Sequence, residues 1–595
     1  MSALDANRQR SAFTDALRPP AGYVLGACIG TTYSLDFDVF TAVLLAFVGA
    51  DLEDPLNDAP SVLTTVARLR SRLRVHVNEA SLGPPASINR LFALYDRILR
   101  PNTMEGGVFH PKVWALRFDP VTHSRRHSVD PVYRLLTASR NVKDSGCWEL
   151  GALFEGTRRA STQKFGFEVS AFCRRVASSR DLPRALWKLI EELKHVEFKS
   201  PREAVDGLRF DWQWPGERPL FNRLPQTLSR TLVISPFVRA DFLKRICHRT
   251  DQLILVSTQD ELDRLSDEAH AQLAEARVFV VSGGADEDGS LLDLHAKLLA
   301  WESENESETL IGSANATGPG WGCGSTMNCE AMVSLKPGLG IDAVMKAFVS
   351  PEKDQLRPWI EEYVRQPEVF DPEKEITKQL EGFKCLLRAD QIRGEYDSGK
   401  KTLRLRARPS GGVRAWRAGM CAEIIPLLQR DQARMDYRLV YDSGAVFAGI
   451  ELEDVAAFAY IVISNEHHKD IDLAFVVQFE LDLGTLHADE RDNAVNARIL
   501  EGVDARSLLL NVLAGLPGGI SHSTGDRDSG NGQAGEQLLR RVTIERILEA
   551  CTADPSRIDE VDVVLAACGD LQNMSAFRNF WAVFRESLEE ESARV

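Results

Sequence analysis

Along the first 350 residues the apolar positions gather into short β-rich runs, separated by stretches of helical periodicity. Residues 23–30 form a dense apolar run, and 38–48 behind it carries apolar residues at helical spacing. The succession recurs as a run over 231–237 followed by a helical pattern over 240–247. Further runs at 73–77, 253–257 and 278–282 read as strands. Strands alternating with helices predict α/β units, here two lobes over residues 1–200 and 201–350, with Trp212, Trp214 and Pro215 near the join. Beyond about 380 the pattern changes. Runs at 383–388, 402–408, 437–441, 455–464 and 471–481, many bounded by Gly, Asp or Asn, predict a β-rich module spanning 351–485. From 486 to 595 the pattern turns helical, over 494–500, 507–513, 536–551 and 576–588, with a Gly-, Ser- and Asp-rich loop at 515–535.

Composition narrows the class. With 595 residues, 44% hydrophobic and 26% charged, the chain is of ordinary globular make-up. That excludes collagenous, coiled-coil and largely disordered chains. The longest apolar stretch, 40–50, is about half of the ~20 residues a membrane-spanning helix needs. No secretory signal pattern opens the chain. The 10 cysteines form no C-x-x-C, so neither a zinc site nor a disulfide framework is expected. A soluble, cytoplasmic protein without a membrane partner is expected, and one needing no metal or cofactor. The net charge of −15 conceals a gradient. Residues 1–250 hold 36 basic against 26 acidic side chains, residues 251–350 hold 5 against 17, and the remainder 30 against 43. A basic region on an acidic protein still attracts a phosphate backbone, because screening confines charge effects to about 10 Å.

Inside the lobes one pattern occurs twice. The first copy reads G-G-V-F-H-P-K-V-W, then S-R-N, then C-W-E; the second reads L-L-D-L-H-A-K-L-L, then S-A-N, then N-C-E. In numbers these are His110, Lys112, Ser139, Asn141 and Glu149, and His295, Lys297, Ser313, Asn315 and Glu330. In a strand, residues i and i+2 share a face, so each His and Lys are expected to point the same way. A neutral imidazole can attack phosphorus, and its protonated form can donate a proton near pH 7. Each lysine supplies a fixed cation for non-bridging oxygens, each asparagine a neutral amide, and a downstream carboxylate can hold the second ring nitrogen. Two such sets around one phosphate suit a two-step displacement through a phosphohistidine, with the reacting nitrogens roughly 5–8 Å apart. A third His-x-Lys, His467 and Lys469, lies in a polar run without a following Ser-x-Asn and reads as a solvated turn.

The paired motifs resemble the phospholipase D superfamily, and most nearly its bacterial nuclease-like members, over about residues 20–350. The resemblance implies an α/β fold of two lobes with mixed sheets flanked by helices, sharing one metal-independent site. It assigns the nucleophile to His110, the general acid to His295, phosphate binding to Lys112, Lys297, Asn141 and Asn315, and histidine orientation to Glu149 and Glu330, with Ser139 and Ser313 in support. Where the family often has an Asp five residues after the motif Lys, this chain has Arg117 and Glu302. The tyrosyl-DNA phosphodiesterase branch also lacks that Asp and remains active, so the departure weakens only a lipid-hydrolysing assignment. Nucleic acid, DNA before RNA, is the expected partner, and a bacterial defence role alongside a helicase or ATPase is an expectation by analogy. The alternatives are a phosphatidyl or phosphoryl transferase (or phospholipase) and a non-catalytic binding subunit.

Other features have two readings each. Trp114 and Trp301 follow the motif histidines on the same strand faces and could stack a base or fill the core. The Gly-rich run 318–324 could approach a phosphate backbone or only turn the chain. Asp286, Glu287 and Asp288 read as a solvated loop. Arg404, Arg406 and Arg408 alternate along one strand and share a face.

Overall fold

A computed structural model describes residues 13–49, 59–120, 130–144, 146–177, 182–200, 207–281, 293–349, 356, 359–367, 371–387, 391–408, 419–501 and parts of 558–587. The segments 507–513, 515–535 and 536–551, and the acidic run Asp286 to Asp288, lie outside the described residues. Of the terminal segment 576–588, residues 578–579 and 581–587 are helical.

The internal repeat becomes a repeat of topology. The first sheet runs, in spatial order, Val196–Lys199, Gly151–Arg158, Val132–Ala138, Val113–Pro120, Tyr23–Thr32, Leu73–Asn78 and Leu99–Asn102. The second runs Gly207–Gln213, Glu330–Lys336, Ser307–Gly312, Leu298–Glu302, Leu228–Ile234, Thr250–Ser257, Arg277–Val281 and Ile360–Glu362. Tyr23–Thr32 and Leu228–Ile234 take equivalent places, each lying antiparallel to the strand that follows the His-x-Lys and parallel to its other neighbour. Both sheets are therefore mixed. Their central strands are largely apolar and buried, as cover on both faces requires. Helices Phe37–Phe47 and Ala59–Leu69 cover one face of the first sheet. Lys164–Val176 and Arg184–Leu193 cover the other, where Phe210, Cys329, Ala331 and Val333 of the second lobe join the same core.

The C-terminal β-rich part is built around a six-stranded and a four-stranded sheet. Two of its predicted strands are not strands. Residues 383–387 fall in the last turns of the helix Pro372–Leu387, 388 lying outside the described residues, and 437–441 form a 3-10 turn. Ile376, Leu380, Phe383 and Leu387 recur at helical spacing and bury one stripe; a window limited to 383–388 hides that period. This part is also not self-contained. Leu35–Asp36 and Leu82–Gly83 of the first lobe complete its six-stranded sheet, and Phe458, Val476 and Val495 enter the first lobe's core. The buried Arg491 seals the junction, donating 2.6 Å and 3.0 Å bonds to the carboxylate of Asp96. His467 is exposed in the turn between Phe458–Asn465 and His468–Gln478.

Candidate active site

The two His-x-Lys segments sit just before their strands, which begin at Val113 and Leu298. This differs from the expected in-strand placement, and the cause is where the backbone bonds go. The His110 N–H donates to Cys329 O at 3.0 Å, and the His295 N–H donates to Trp148 O at 2.9 Å. Each motif histidine is thus stitched to the residue immediately before the glutamate of the other copy. The stitching is extensive on the first side: Met327 N–H donates to Gly106 O and Cys329 N–H to Val108 O. Gly107 makes the approach possible, since a Cβ there would lie 1.9 Å from Met327 O.

That crossing exchanges the carboxylates. His110 Nδ1 donates to Glu330 Oε2 at 2.9 Å, and His295 Nδ1 lies 3.0 Å from Glu149 Oε1. Neither histidine is held by the glutamate of its own copy. The two contacts are unequal. Glu330 is fully buried and clamped by Ser313 Oγ and by Asn328 Nδ2, the latter at 3.1 Å. Glu149 has Arg140 3.7 Å away, and its contact to His295 is close but misaligned for a hydrogen bond. His110 has a 10% exposed side chain and His295 one of 22%. The first is a fixed imidazole, the second a looser one nearer solvent.

Lys112 and Lys297 are both completely buried, and each donates one bond back to its own histidine's carbonyl, at 2.9 Å and 2.7 Å. An ammonium has three donors, so each has more to offer a ligand. Asn141 and Asn315 occupy the loops after Val132–Ala138 and Ser307–Gly312, with amide oxygens buried and unpartnered. Ser139 Oγ accepts from the Leu150 N–H at 3.0 Å and so shapes the chain beside Glu149. Electrostatics shows the two halves acting on each other. Burial pushes Lys112 down to about 7 against the pull of Glu330 and Glu149. Lys297 is lowered by burial and then by Lys112. Burial likewise lowers His110 to about 4, opposed by Glu330 and assisted by Lys112 and Lys297. His295 is lowered by burial, with Lys297 and Lys112 adding to it. Two histidines and two lysines are thus held with the carboxylates of Glu330 and Glu149 in one desolvated cluster whose largest influence on each basic group is burial. Among the described residues no three His, Cys, Asp or Glu side chains are grouped to hold a metal ion, and no helix is long and apolar enough to cross a membrane.

The remaining candidates take structural places. Trp114 is buried between Phe13 and Phe47, with ring centroids 5.7 Å and 6.0 Å away. Trp301 is buried and donates to Glu308 at 3.0 Å, so neither is open to a base. Arg117 bridges Asp119 and Glu192, and Glu302 accepts from Ile341 N–H and Arg230, all within their own lobes. In the Gly-rich run, Gly318–Trp321 is a short helix, and a Cβ on Gly320 would lie 2.4 Å from Asn315 O; the glycines let this turn press against the Asn315 loop. Arg404 and Arg406 flank Gly444 on the C-terminal four-stranded sheet. Two residues escaped the sequence reading. Asn328, two before Glu330, was detectable by strand parity. Tyr33, whose ring centroid lies 5.1 Å from that of His110, had no motif to mark it.

No protein-family model and no curated protein matches the sequence. Among solved structures, the crystal structure of yeast tyrosyl-DNA phosphodiesterase is similar at 11% identity over 54% of this chain and 84% of that one, with a TM-score of 0.34. A histidine-to-asparagine variant of it matches at 10% over 57% and 89%, with a TM-score of 0.36. A histidine-to-alanine variant matches at 11% over 55% and 85%, with a TM-score of 0.35. In fold this chain resembles the phospholipase D superfamily, as two lobes whose central strands share one order, each carrying a His-x-Lys, a Ser-x-Asn and a Glu, with the histidine of each lobe held against the glutamate of the other.

Proposed function

We propose that the protein is a metal-independent phosphodiesterase that cleaves nucleic acid, DNA in preference to RNA, through a phosphohistidine. The exchanged His–Glu pairs carry this reading, because they bring both motif sets to one desolvated cluster. His110, held neutral by burial and oriented at Nδ1 by Glu330, presents Nε2 to phosphorus. Attack forms the N–P bond and breaks the P–O bond to the leaving group, whose oxygen takes a proton from His295. His295 then removes a proton from water, the hydroxide attacks phosphorus, and the N–P bond breaks to return His110. His295 suits the acid role because it is nearer solvent and less tightly held, so a bound phosphodiester anion can draw a proton onto it. In this reading Lys112, Lys297 and the side-chain amide N–H groups of Asn141 and Asn315 donate to the non-bridging oxygens, whose charge they stabilise in a water-poor site. Nucleic acid is favoured over lipid by the basic excess of the first 250 residues.

The test is incubation with labelled single- and double-stranded DNA and RNA in EDTA, with His110→Ala as the control. Cleavage that persists in EDTA and vanishes in the variant is expected. Loss on chelation, restored by Mg²⁺ or Mn²⁺, would sink the mechanism. Products carrying an added alcohol in place of water would make the enzyme a transferase.

A further inference from the structure

The two halves of the site share one hydrogen-bond frame. Ser139 N–H donates to Leu150 O at 2.8 Å, and Ser313 N–H donates to Ala331 O at 3.0 Å. In return, Leu150 N–H and Ala331 N–H each donate to the serine hydroxyl at 3.0 Å. Glu149 and Glu330, one residue earlier, therefore occupy equivalent places, and so do Cys147 and Asn328, two residues before each glutamate. At that last pair the halves part. Asn328 Nδ2 donates to Glu330 Oε1 at 3.1 Å, while its Oδ1 accepts from Val108 N–H at 3.2 Å. Its backbone is held too: the N–H donates to Pro319 O at 2.9 Å, and Gln213 Nε2 donates to its carbonyl at 3.1 Å. A carboxylate only accepts and a backbone N–H only donates, so these two partners fix which way the amide points. Glu330 then has both oxygens engaged, Oε2 by His110 and Ser313 and Oε1 by Asn328. In the other half the equivalent side chain is a thiol, a weak donor. Glu149 Oε2 is buried with no hydrogen-bond partner among the described residues, and Oε1 meets His295 Nδ1 at 3.0 Å out of line.

We propose that Asn328 is the positioning residue that commits His110, rather than His295, to the nucleophile's role. This rests on the phosphodiesterase reading above and deepens it. A nucleophilic imidazole must keep one nitrogen aimed at phosphorus while the N–P bond forms and breaks, so the carboxylate behind it must not swing. Asn328 holds that carboxylate and Val108 at once, and Val108 stands two residues before His110. A general acid that later serves as base has the opposite need. It follows a proton between the leaving group and water, which the looser contact of Glu149 with His295 permits. Asn328 also draws on the charge of Glu330, which weakens the pull of that carboxylate on an added proton at His110 and helps to keep the ring neutral.

The test exchanges the two side chains in the full chain, as Asn328→Cys, Cys147→Asn and the double variant. Steady-state kinetics on an activated phosphodiester are read together with ³²P mapping of the labelled histidine. Asn328→Cys should lower kcat by about 10- to 150-fold, the effect of one hydrogen bond to a charged group, with KM nearly unchanged. Its acid limb should move up from near pH 4, because Glu330, no longer shared with Asn328, pulls harder on the His110 proton against burial, Lys112 and Lys297. Asn328→Asp keeps an acceptor for Val108 N–H but as a carboxylate cannot donate to Glu330, so it should be no more active than Asn328→Cys. Native activity in Asn328→Asp, or a fall in kcat with the acid limb unmoved, would reduce Asn328 to a prop for the Val108 strand and overturn the proposal. In the double variant part of the label should move to His295, because the amide introduced by Cys147→Asn meets the open Oε2 of Glu149. Label confined to His110 there would show that this position does not assign the roles, leaving the phosphodiesterase reading intact. A native protein that cleaves no diester and takes up no label would remove that reading, and the role of Asn328 with it.

Discussion

Replacing Lys112 by Met should lower activity sharply and yet make the protein more stable. Lys112 is wholly buried, and burial outweighs the attraction of Glu330 and Glu149, lowering it from 10.5 to about 7. At roughly 1.4 kcal/mol for each factor of ten, that gap corresponds to about 5 kcal/mol of unfavourable charge burial. The sign follows from which state holds the proton. Below pH 7 the lysine is charged in both folded and unfolded chains, and the full cost bears on the fold. Between 7 and 10.5 only the unfolded chain is charged, so the cost falls by about 1.4 kcal/mol per pH unit, and above 10.5 it is gone. Methionine matches the length of the stem and carries no charge, but it loses the 2.9 Å bond to His110 O, worth about 1 kcal/mol. A net gain of about 2–4 kcal/mol at pH 6 is therefore expected, with activity reduced by about 10²–10³, the effect of deleting one preorganised donor. Urea unfolding of both proteins at pH 6, 7.5 and 9.5 reads the stability difference directly. If the Met variant is less stable at pH 6, or its advantage does not shrink between pH 7.5 and 9.5, the lysine is not the strained charge described here.

His110→Asn should prevent any covalent phosphoenzyme, detectable as a ³²P-labelled adduct, whereas His295→Asn should slow poor leaving groups far more than p-nitrophenolate, which needs no proton; reversed effects would swap the two roles. Because burial holds His110 neutral down to about 4, the acid limb of single-turnover rates on an activated diester should fall near pH 4 rather than near 6.5, and a limb at 6.5 would mean the nucleophile is solvated. Gly107→Ala must move Met327, whose carbonyl a new Cβ would approach to 1.9 Å; a loss of about 1–3 kcal/mol in unfolding should come with a disproportionate fall in kcat, as the ladder that carries His110 to Glu330 shifts.

What the sequence settled by itself is what depends on local spacing. Alternating strand and helix periods marked two α/β lobes, and the order His-x-Lys, Ser-x-Asn, Glu appeared twice with its chemistry readable from residue types alone. The helix Ala240–Cys247 and the strand Thr402–Arg408 were delimited residue for residue, because apolar period and flanking polar residues agree there. The period misled where a short window was ambiguous. Phe383 belongs to a 16-residue helix whose repeat shows only when read from Ile376, and Tyr437 sits in a 3-10 turn opened by the Asp436 side chain. Tertiary structure decided everything that needed a partner from far along the chain. Glu330 serves His110 across 220 residues, an exchange set by backbone ladders between lobes that no local pattern encodes. Trp114 and Trp301 have the same residue type and strand placement as a base-stacking pair, but burial assigns them to the core. Tyr33, unmarked in sequence, comes within 5.1 Å of the His110 ring only through the fold. Spacing encodes which groups share a strand face; which faces meet, and which are left in water, is decided by packing of the whole chain.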